Sequence, residues 1–281
     1  MKKLQCLIFI AVIFVVSACT SKADTNLRYI SYNIRNSRAN DGDNSWLNRR
    51  NGTINMINAE NPDIFGVQEA YIEQVKFMED SLPDYGHVGV GRDDGNEGGE
   101  HMAVFYKKSR FTLVDNGDFW LSETPDEPTH GWDAACYRIV TWAKLKDNAS
   151  GKQFYVFNTH LDHIGKVARE QSIILLCNRI RQITNNSKAP VFLSGDFNST
   201  IDNPIFDPLK DFMKESRNNP VKTDEKATYN GFDIANNNSP EHKIDYIFYR
   251  NANSVGFKTL DGSYGVPYIS DHYPIEADFT F

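Results

Sequence analysis

Residues 189–198 read Ala-Pro-Val-Phe-Leu-Ser-Gly-Asp-Phe-Asn, and the interpretation of the rest of the chain starts from them. The apolar run Val191 to Leu193 stops just before Gly195, which is typical of a short buried strand. Asp196 and Asn198 follow at once. Groups just beyond the carboxyl ends of strands line the ligand crevice of α/β sheets, so we expect these two side chains at a site. Gly, Asp and Asn are also common in turns, so a plain turn is the alternative interpretation of this stretch.

Five other stretches have the same design, in which polar residues stand within or directly after an apolar, strand-like run, and they favour a site over a plain turn. These stretches are marked by Asn33, Gln68-Glu69, Asn158-Thr159-His160, Asp245 and Ser270-Asp271-His272. Strand-like runs and helical patterns alternate along the chain, which predicts an α/β or α+β fold. Continuous apolar strands indicate sheets that are covered on both faces.

The strongest element predictions follow from hydrophobic periodicity. We expect strands at Leu27–Asn33, Ile64–Val67, Met102–Tyr106, Phe111–Val114, Tyr137–Leu145, Phe154–Phe157, Lys243–Tyr249 and Ile275–Phe281. The clearest helix is Val167–Ile183, because its apolar residues fall on one face. A further helix is expected to turn Ile205, Leu209 and Phe212 inward.

The N-terminus has the pattern of an export signal. Two lysines precede an apolar run, residues 7–16, that is too short to span a bilayer comfortably. Small residues directly before Cys19 resemble a bacterial lipoprotein cleavage box. We therefore expect a signal peptide at 1–18, a lipidated Cys and short tether at 19–26, and one domain at 27–281 that is held at the outer side of a bacterial membrane, in the periplasm or on the surface. An ordinary signal peptide is the alternative.

The net charge limits the classes of partner that the protein is expected to bind. The formal net charge is −7, and it becomes −9 if residues 1–18 and their two lysines are removed. Proteins that bind long nucleic acids usually carry a basic footprint, so nucleic acid is a disfavoured partner unless a local basic patch exists.

Cys136 and Cys177 would remain as the cysteines of the domain. They could pair in an exported protein, or stay as two separate buried thiols.

The polar strand-end residues together suggest a metal site that handles phosphate. They are four carboxylates, two imidazoles and two amides: Asn33, Glu69, His160, Asp196, Asn198, Asp245, Asp271 and His272. Clustered carboxylates repel one another unless a cation lies among them. Oxygen donors without thiolate suit Mg²⁺, Mn²⁺ or Ca²⁺, and Mg²⁺ neutralises charge on phosphoryl oxygens.

In this order along the chain, the motifs resemble those of the endonuclease/exonuclease/phosphatase superfamily, and the resemblance runs from residue 27 to the C-terminus. It implies a four-layer sandwich of two mixed β-sheets packed face to face, with helices outside and the site along one edge. It also implies a monomeric, Mg²⁺- or Mn²⁺-dependent phosphodiesterase or phosphomonoesterase. In such an enzyme a carboxylate-activated water attacks phosphorus in line with the leaving group.

The resemblance implies a role for each metal-binding and water-binding residue. Glu69 would be the chief metal ligand, with help from Asn33 and Asp271. Asp196 would orient or deprotonate the attacking water, and Asn198 would hold that water or a phosphate oxygen. The abasic-site endonucleases of the superfamily carry an acidic residue two positions after the first Asn, where this chain has an Arg, so their metal arrangement and substrate are in question here.

The resemblance also implies two imidazoles that contact the scissile phosphate. His272 would be paired with Asp245, and His160 with Glu100. Arg138 would contact the phosphate of the substrate, as would Asn33. Fixed donors of this kind stabilise the charge that develops on the phosphoryl oxygens in the transition state.

Two alternative functions stay open. The run His160-Leu161-Asp162-His163 is half of a metallo-β-lactamase zinc motif, although the His expected at position 158 is Asn, so a zinc hydrolase is the weaker alternative. A non-catalytic surface lipoprotein that binds glycans or phospholipids is the other. The substrate class is also open, among nucleic acid, phospholipid head groups, sugar phosphates and nucleotides.

Overall fold

The computed structural model describes residues 24–219 and 221–281 of the chain. The expected signal peptide at 1–18 and the expected lipid site at Cys19 lie outside the described residues, so export and lipid attachment stay predictions. None of the helices in the described part of the chain combines the length and the apolar character needed to cross a membrane.

The described chain forms twelve strands and four α-helices. The strands are β1 (Asn26–Asn33), β2 (Ile64–Gln68), β3 (Tyr85–Val88), β4 (Val104–Lys107), β5 (Phe111–Trp120), β6 (Ile139–Asp147), β7 (Gln153–His160), β8 (Val191–Asp196), β9 (Lys214–Glu215), β10 (Asp245–Arg250), β11 (Asn253–Thr259) and β12 (Ile275–Thr280). The helices are α1 (Trp46–Glu60), α2 (Ile72–Ser81), α3 (Lys166–Ile183) and α4 (Asp207–Lys210).

The strands form two six-stranded mixed sheets, one in the order β11-β12-β1-β2-β4-β3 and the other in the order β5-β6-β7-β8-β10-β9. In each sheet one neighbouring pair is parallel, β1 with β2 and β7 with β8, and the other pairs are antiparallel. The prediction of two mixed sheets with helices outside is confirmed.

Alternation along the strands builds the layers. In β1, Leu27 and Tyr29 point into the core between the two sheets, whereas Ile30 and Tyr32 pack in a second core with residues of α1 and α2. Successive side chains of a strand point to opposite faces, so one strand feeds both cores. Helix α3 buries its apolar face against the outer side of the second sheet.

The structure differs from the predicted elements in two respects. The helix expected around Ile205 to Phe212 is only a 3₁₀ turn, Pro204–Phe206, followed by the four-residue α4, because prolines at positions 204 and 208 limit it. Strands β3, β9 and β11 were not predicted, since they are short or contain glycine.

Cys136 and Cys177 are both free thiols, so they do not pair.

Asn158, in β7, joins the two sheets at the end where the polar residues lie. Its Nδ2 donates to the carbonyl oxygens of Val67 at 2.8 Å and Ala103 at 3.2 Å, both on the first sheet's side. Its Oδ1 accepts from Gln68 Nε2 at 2.7 Å and from Ser194 Oγ at 3.0 Å. Asn158 is fully buried, so these hydrogen bonds replace the ones that its amide would make with water in the unfolded chain.

We expect Asn158→Ala to lower the free energy of unfolding by about 3 kcal/mol, because it leaves several buried groups without partners. Urea unfolding followed by circular dichroism measures the change. Asn116→Ala is the matched control, since Asn116 is an exposed residue of β5 and should change stability by less than about 0.5 kcal/mol. Equal losses in the two variants would show that Asn158 does not hold the sheets together.

Candidate active site

The polar strand ends of the two sheets meet at one edge of the sandwich. In the parallel pair β1–β2, Asn33 lies opposite Gln68, and in the parallel pair β7–β8, His160 lies opposite Asp196. Strand β10 places Asp245 opposite Asp196. The side chains join across the sheets, because Asn33 Nδ2 donates to Asp196 Oδ2 at 3.0 Å.

A cavity of about 450 Å³ opens at this edge. The predicted site residues that line it are Glu69, Glu100, Arg138, His160, Asp196, Asn198, Asp271 and His272. The other two, Asn33 and Asp245, lie behind the lining and hydrogen-bond to it. The cavity also contains residues that were not predicted as site residues, namely Arg35, Asn36, Arg92, Cys136, His163, Tyr229 and Ile244.

Glu69 follows β2 directly and has a left-handed φ of 64°. Its Oε1 accepts from Asn33 Nδ2 at 3.0 Å, and its Oε2 accepts from the backbone N and the Nδ2 of Asn36, both at 3.1 Å. Burial acts to raise the pKa of Glu69, but these hydrogen bonds and the positive charges of His272 and Arg35 lower it overall. The carboxylate is therefore ionised at neutral pH.

Asp271 is the second carboxylate of the expected metal pair. Its pKa is raised by burial and by the negative charge of Glu69, against the positive charges of His272 and Arg35. Arg35 Nη1 lies 3.5 Å from Asp271 Oδ2. The half-buried Glu69 and the buried Asp271 repel each other and offer carboxylate oxygens, so they fit a hard divalent cation such as Mg²⁺ or Mn²⁺. Glu69 and Asp271 could therefore hold the metal.

Asp196 lies between the two imidazoles. Its Oδ2 is 3.4 Å from His160 Nε2 and 3.7 Å from His272 Nε2, while its Oδ1 accepts from the backbone N of Asn198 at 2.9 Å. Burial and the neighbouring charge of Asp245 raise the pKa of Asp196. A carboxylate with a raised pKa is suited to take a proton from water near neutral pH.

His272 and Asp245 form the expected hydrogen-bonded pair, with 2.8 Å between His272 Nδ1 and Asp245 Oδ2. Burial alone lowers the pKa of His272, but the negative charges of Asp245, Asp196 and Asp271 raise it well above its ordinary value. The ring is therefore an imidazolium at neutral pH. It can donate a hydrogen bond to an anion in the cavity.

His160 differs from His272 in its charge and in its partner. Burial and the positive charges of Arg138 and Arg92 lower the pKa of His160 well below its ordinary value, so the ring is neutral. Asn198 Nδ2 donates to its Nε2 at 2.9 Å. The expectation that Glu100 holds His160 is wrong in this structure. Arg92 donates to Glu100 instead, and the buried Nδ1 of His160 has no hydrogen-bond partner in the described part of the chain.

The difference at Glu100 has a physical reason. A guanidinium carries a fixed charge and binds a carboxylate more strongly than a neutral imidazole does. Burial raises the pKa of Glu100 to about 7, with the charge of Arg92 acting in the opposite direction. Arg92 lies in a Gly-rich loop, and yet its side chain is only 11% exposed.

Arg138 is buried and held from two sides. Its Nε donates to Asp162 Oδ2 at 3.1 Å, and its Nη2 donates to His163 Nδ1 at 2.9 Å. Asp162 and His163 are the residues that the zinc alternative needed as ligands beside His160. Because they bind a cationic side chain here, the structure argues against a zinc site on this motif.

A second group of potential ligands, Asp196, Asp245 and His272, brings its ligand atoms within 4.8 Å of one another. The carboxylate of Asp245 is already bonded to His272, and the raised pKa keeps His272 protonated. A protonated ring has no lone pair for a metal. The carboxylates of Glu69 and Asp271 are therefore the better cation ligands.

Two of the unpredicted residues, Asn36 and Arg92, are held by contacts with distant segments. Asn36 lies in a polar loop after β1 and reaches Glu69. Arg92 is positioned partly by Trp120, whose Nε1 donates to the Arg92 carbonyl oxygen at 2.7 Å. No periodicity or motif in the sequence marks such contacts. Two signals were available, namely the departure at Arg35 from the acidic residue of the abasic-site endonucleases and the zinc-like motif that contains His163.

Comparison with known proteins agrees with this geometry. The model of the Endonuclease/Exonuclease/phosphatase family matches residues 30–272. A mannosyl-6-phosphatase from Bacteroides thetaiotaomicron is 36% identical and superposes with a TM-score of 0.86, over 91% of this chain and 100% of that chain. A further Endonuclease/Exonuclease/phosphatase family protein from the same organism is 36% identical, with a TM-score of 0.87 over 92% of this chain and 96% of that chain.

Curated relatives include the nocturnin of Drosophila melanogaster, which is 24% identical over 84% of this chain and 42% of the nocturnin. The chain thus spans less than half the length of that relative. The similarity to nocturnin is weaker than the similarity to the mannosyl-6-phosphatase, and it covers a smaller share of the relative.

We expect Asp245→Asn to bring the pKa of His272 down toward the ordinary imidazole value of about 6.5, because the ring loses its nearest negative charge. An NMR titration of the His272 ring measures the change. Asp126→Asn is the control, since Asp126 is exposed and pairs with Arg179 away from the cavity. An unchanged His272 pKa in Asp245→Asn would mean that other carboxylates carry the effect.

Proposed function

Because the chain belongs to the Endonuclease/Exonuclease/phosphatase family, we propose that it is a divalent-metal-dependent phosphatase that removes the phosphate group of a sugar 6-phosphate. The family and its phosphatase and nuclease neighbours support the phosphoesterase class. The observation that carries the choice of substrate is the similarity to the mannosyl-6-phosphatase, which extends over the whole of that chain.

The cavity supports a small anionic substrate. Its volume of about 450 Å³ lies within the range of about 300–1,000 Å³ that is usual for small-molecule sites. Arg35, Arg92, Arg138 and the His272 imidazolium give it several positive groups, which suit the two negative charges of a phosphate monoester. The acidic charge of the whole chain disfavours a long polyanion.

The carboxylates of Glu69 and Asp271 would hold the divalent cation. When bound, the cation neutralises charge on the phosphoryl oxygens. Asn33 and Asn36 fix the Glu69 carboxylate through its two oxygens. Asn33 also ties it to Asp196, so the metal ligand and the proposed base are held in one arrangement.

The remaining residues act on the water and on the phosphoryl group. Asp196 takes a proton from the water that attacks phosphorus, as its raised pKa allows. The bond between phosphorus and the sugar oxygen breaks as the new bond forms, and the sugar oxygen leaves and takes up a proton from solvent. The His272 imidazolium donates to a phosphoryl oxygen and stabilises its growing charge. Asn198 keeps the neutral ring of His160 in place beside Asp196. Removal of one such preorganised donor commonly lowers the rate by about 10²- to 10³-fold.

The substrate is tested by comparing phosphate release from mannose 6-phosphate and glucose 6-phosphate with hydrolysis of bis-p-nitrophenyl phosphate and single-stranded RNA in the presence of Mg²⁺. We expect the sugar phosphates to have the highest kcat/KM, and His272→Ala serves as the control for contaminating phosphatases. Faster hydrolysis of the diester or of RNA would contradict the proposal. Absence of turnover on every substrate would favour the non-catalytic, ligand-binding alternative.

We expect Glu69→Gln to weaken Mn²⁺ binding and to lower kcat/KM by about 10²- to 10³-fold, because the variant loses the anionic ligand of the cation. Calorimetric Mn²⁺ titration and steady-state kinetics measure the two effects, and EDTA should abolish the activity of the wild type. Glu73→Gln is the matched control, since Glu73 is exposed on α2 and does not line the cavity. Unchanged Mn²⁺ affinity in Glu69→Gln would show that Glu69 is not a ligand.

A further inference from the structure

We propose that Asp162 and His163 are positioning residues that fix the guanidinium of Arg138 for binding the phosphate group of the substrate. The inference rests on the proposed function, since it assumes a phosphate ester in the cavity. It concerns the part of the cavity that Arg138 and His163 line. The sequence suggested a part for Asp162 and His163 only as ligands of the zinc alternative, and the phosphoesterase resemblance gave them none.

Arg138 itself has an unusual environment for a binding residue. It directly precedes β6, its side chain is only 4% exposed, and yet it lines the cavity. Asp162 and His163 occupy its Nε and Nη2. Within the described residues its Nη1 has no hydrogen-bond partner, and this atom is not among the buried polar atoms that lack one. Nη1 is therefore the nitrogen left for a ligand.

Asp162 is a rigid support for Arg138. Its Oδ1 accepts from the backbone N of Ile164 at 2.9 Å and of Gly165 at 2.7 Å, while its Oδ2 also accepts from the backbone N of Ala135 at 3.1 Å. Burial alone would raise the pKa of Asp162, but these backbone hydrogen bonds and the charge of Arg138 lower it strongly. The carboxylate stays ionised and joins the segment before β6 to the turn before α3.

His163 bonds to a second nitrogen of the guanidinium, Nη2, and does so in a defined tautomer. A guanidinium has only donors, so Nδ1 of His163 must accept and the neutral ring carries its proton on Nε2. His163 is an exposed residue of the cavity lining. Two partners, one on Nε and one on Nη2, hold the planar guanidinium in one orientation, and fewer of its rotamers then remain to be lost when a phosphate binds.

The same residues could be mistaken for a metal site. The potential ligand atoms of Cys136, Asp162 and His163 lie within 4.8 Å of one another. A cation at this point would meet the guanidinium of Arg138, which already bonds to Asp162 and to the ring nitrogen of His163. The cluster is therefore arranged around an arginine, and its chemistry is that of anion binding.

Binding of inorganic phosphate to the Mg²⁺-loaded full-length protein tests the proposal by calorimetry, without any need for turnover. We expect Arg138→Ala to weaken phosphate binding by roughly tenfold or more, as for loss of a charged hydrogen bond, and His163→Ala by several-fold. His163→Asn should restore most of the affinity, because an Asn oxygen can replace Nδ1 as the acceptor. Asp162→Asn disturbs backbone hydrogen bonds as well, so the His163 variants carry the test.

The decisive measurement is a double-mutant cycle. Arg138→Ala combined with His163→Ala should bind phosphate no more weakly than Arg138→Ala alone, since His163 acts only through Arg138. Additive losses, or an unchanged affinity in His163→Ala, would overturn the proposal. His130→Ala is the matched control, because His130 is an exposed histidine of the same segment that contacts Tyr137 and does not line the cavity.

A spectroscopic signature separates positioning from general loss of structure. In ¹⁵N NMR at alkaline pH, His163 of the wild type should show an unprotonated Nδ1, and Arg138→Ala should produce a mixture of tautomers. A protonated Nδ1 in the wild type would overturn the proposal. If the cycle is non-additive and yet no sugar phosphate is hydrolysed, the proposed substrate is wrong while the positioning of Arg138 stands.

Discussion

The hydrogen bonds of Asn158 between the two sheets are the constraint on which the site depends. Asn33 and Glu69 come from the first sheet, while Asp196 comes from the second, and they meet only if the sheets keep one relative position. Apolar contacts between sheets are non-directional and tolerate sliding, whereas buried hydrogen bonds do not. Gly66 permits the contact, because an added Cβ would lie 2.8 Å from Cγ of Asn158.

Neighbouring charges give each titratable group of the site a different pKa shift. His272 lies among carboxylates and is protonated, whereas His160 lies near two guanidinium groups and is neutral. Asp196 is buried beside another carboxylate, and its pKa is raised; Glu69 receives several hydrogen bonds, and its pKa is lowered. Groups of the same type thus reach different protonation states through their surroundings alone, and these states suit the different roles proposed for them.

Two groups of cavity residues have different origins in the fold. Most groups around Glu69 and Asp196 stand at or next to strand ends, where the sheets hold them. Arg92 stands in a Gly-rich loop, and Arg138 stands in the segment before β6. Loops vary more readily than the scaffold that carries them, and function depends on the site and not on the fold alone. This division agrees with a shared framework in phosphatases and nucleases whose substrates differ.

The sequence by itself determined the strands that end in polar residues, the α3 helix and most of the site, because period-two and helical patterns report local burial directly. Val191 to Leu193, with Asp196 and Asn198 after them, show this. The tertiary structure alone decided that Glu100 bonds to Arg92, and that Asp162 bonds to Arg138, 24 residues away. Partner choice depends on the distance between segments that the fold brings together and on the water lost there, and no local pattern encodes either quantity.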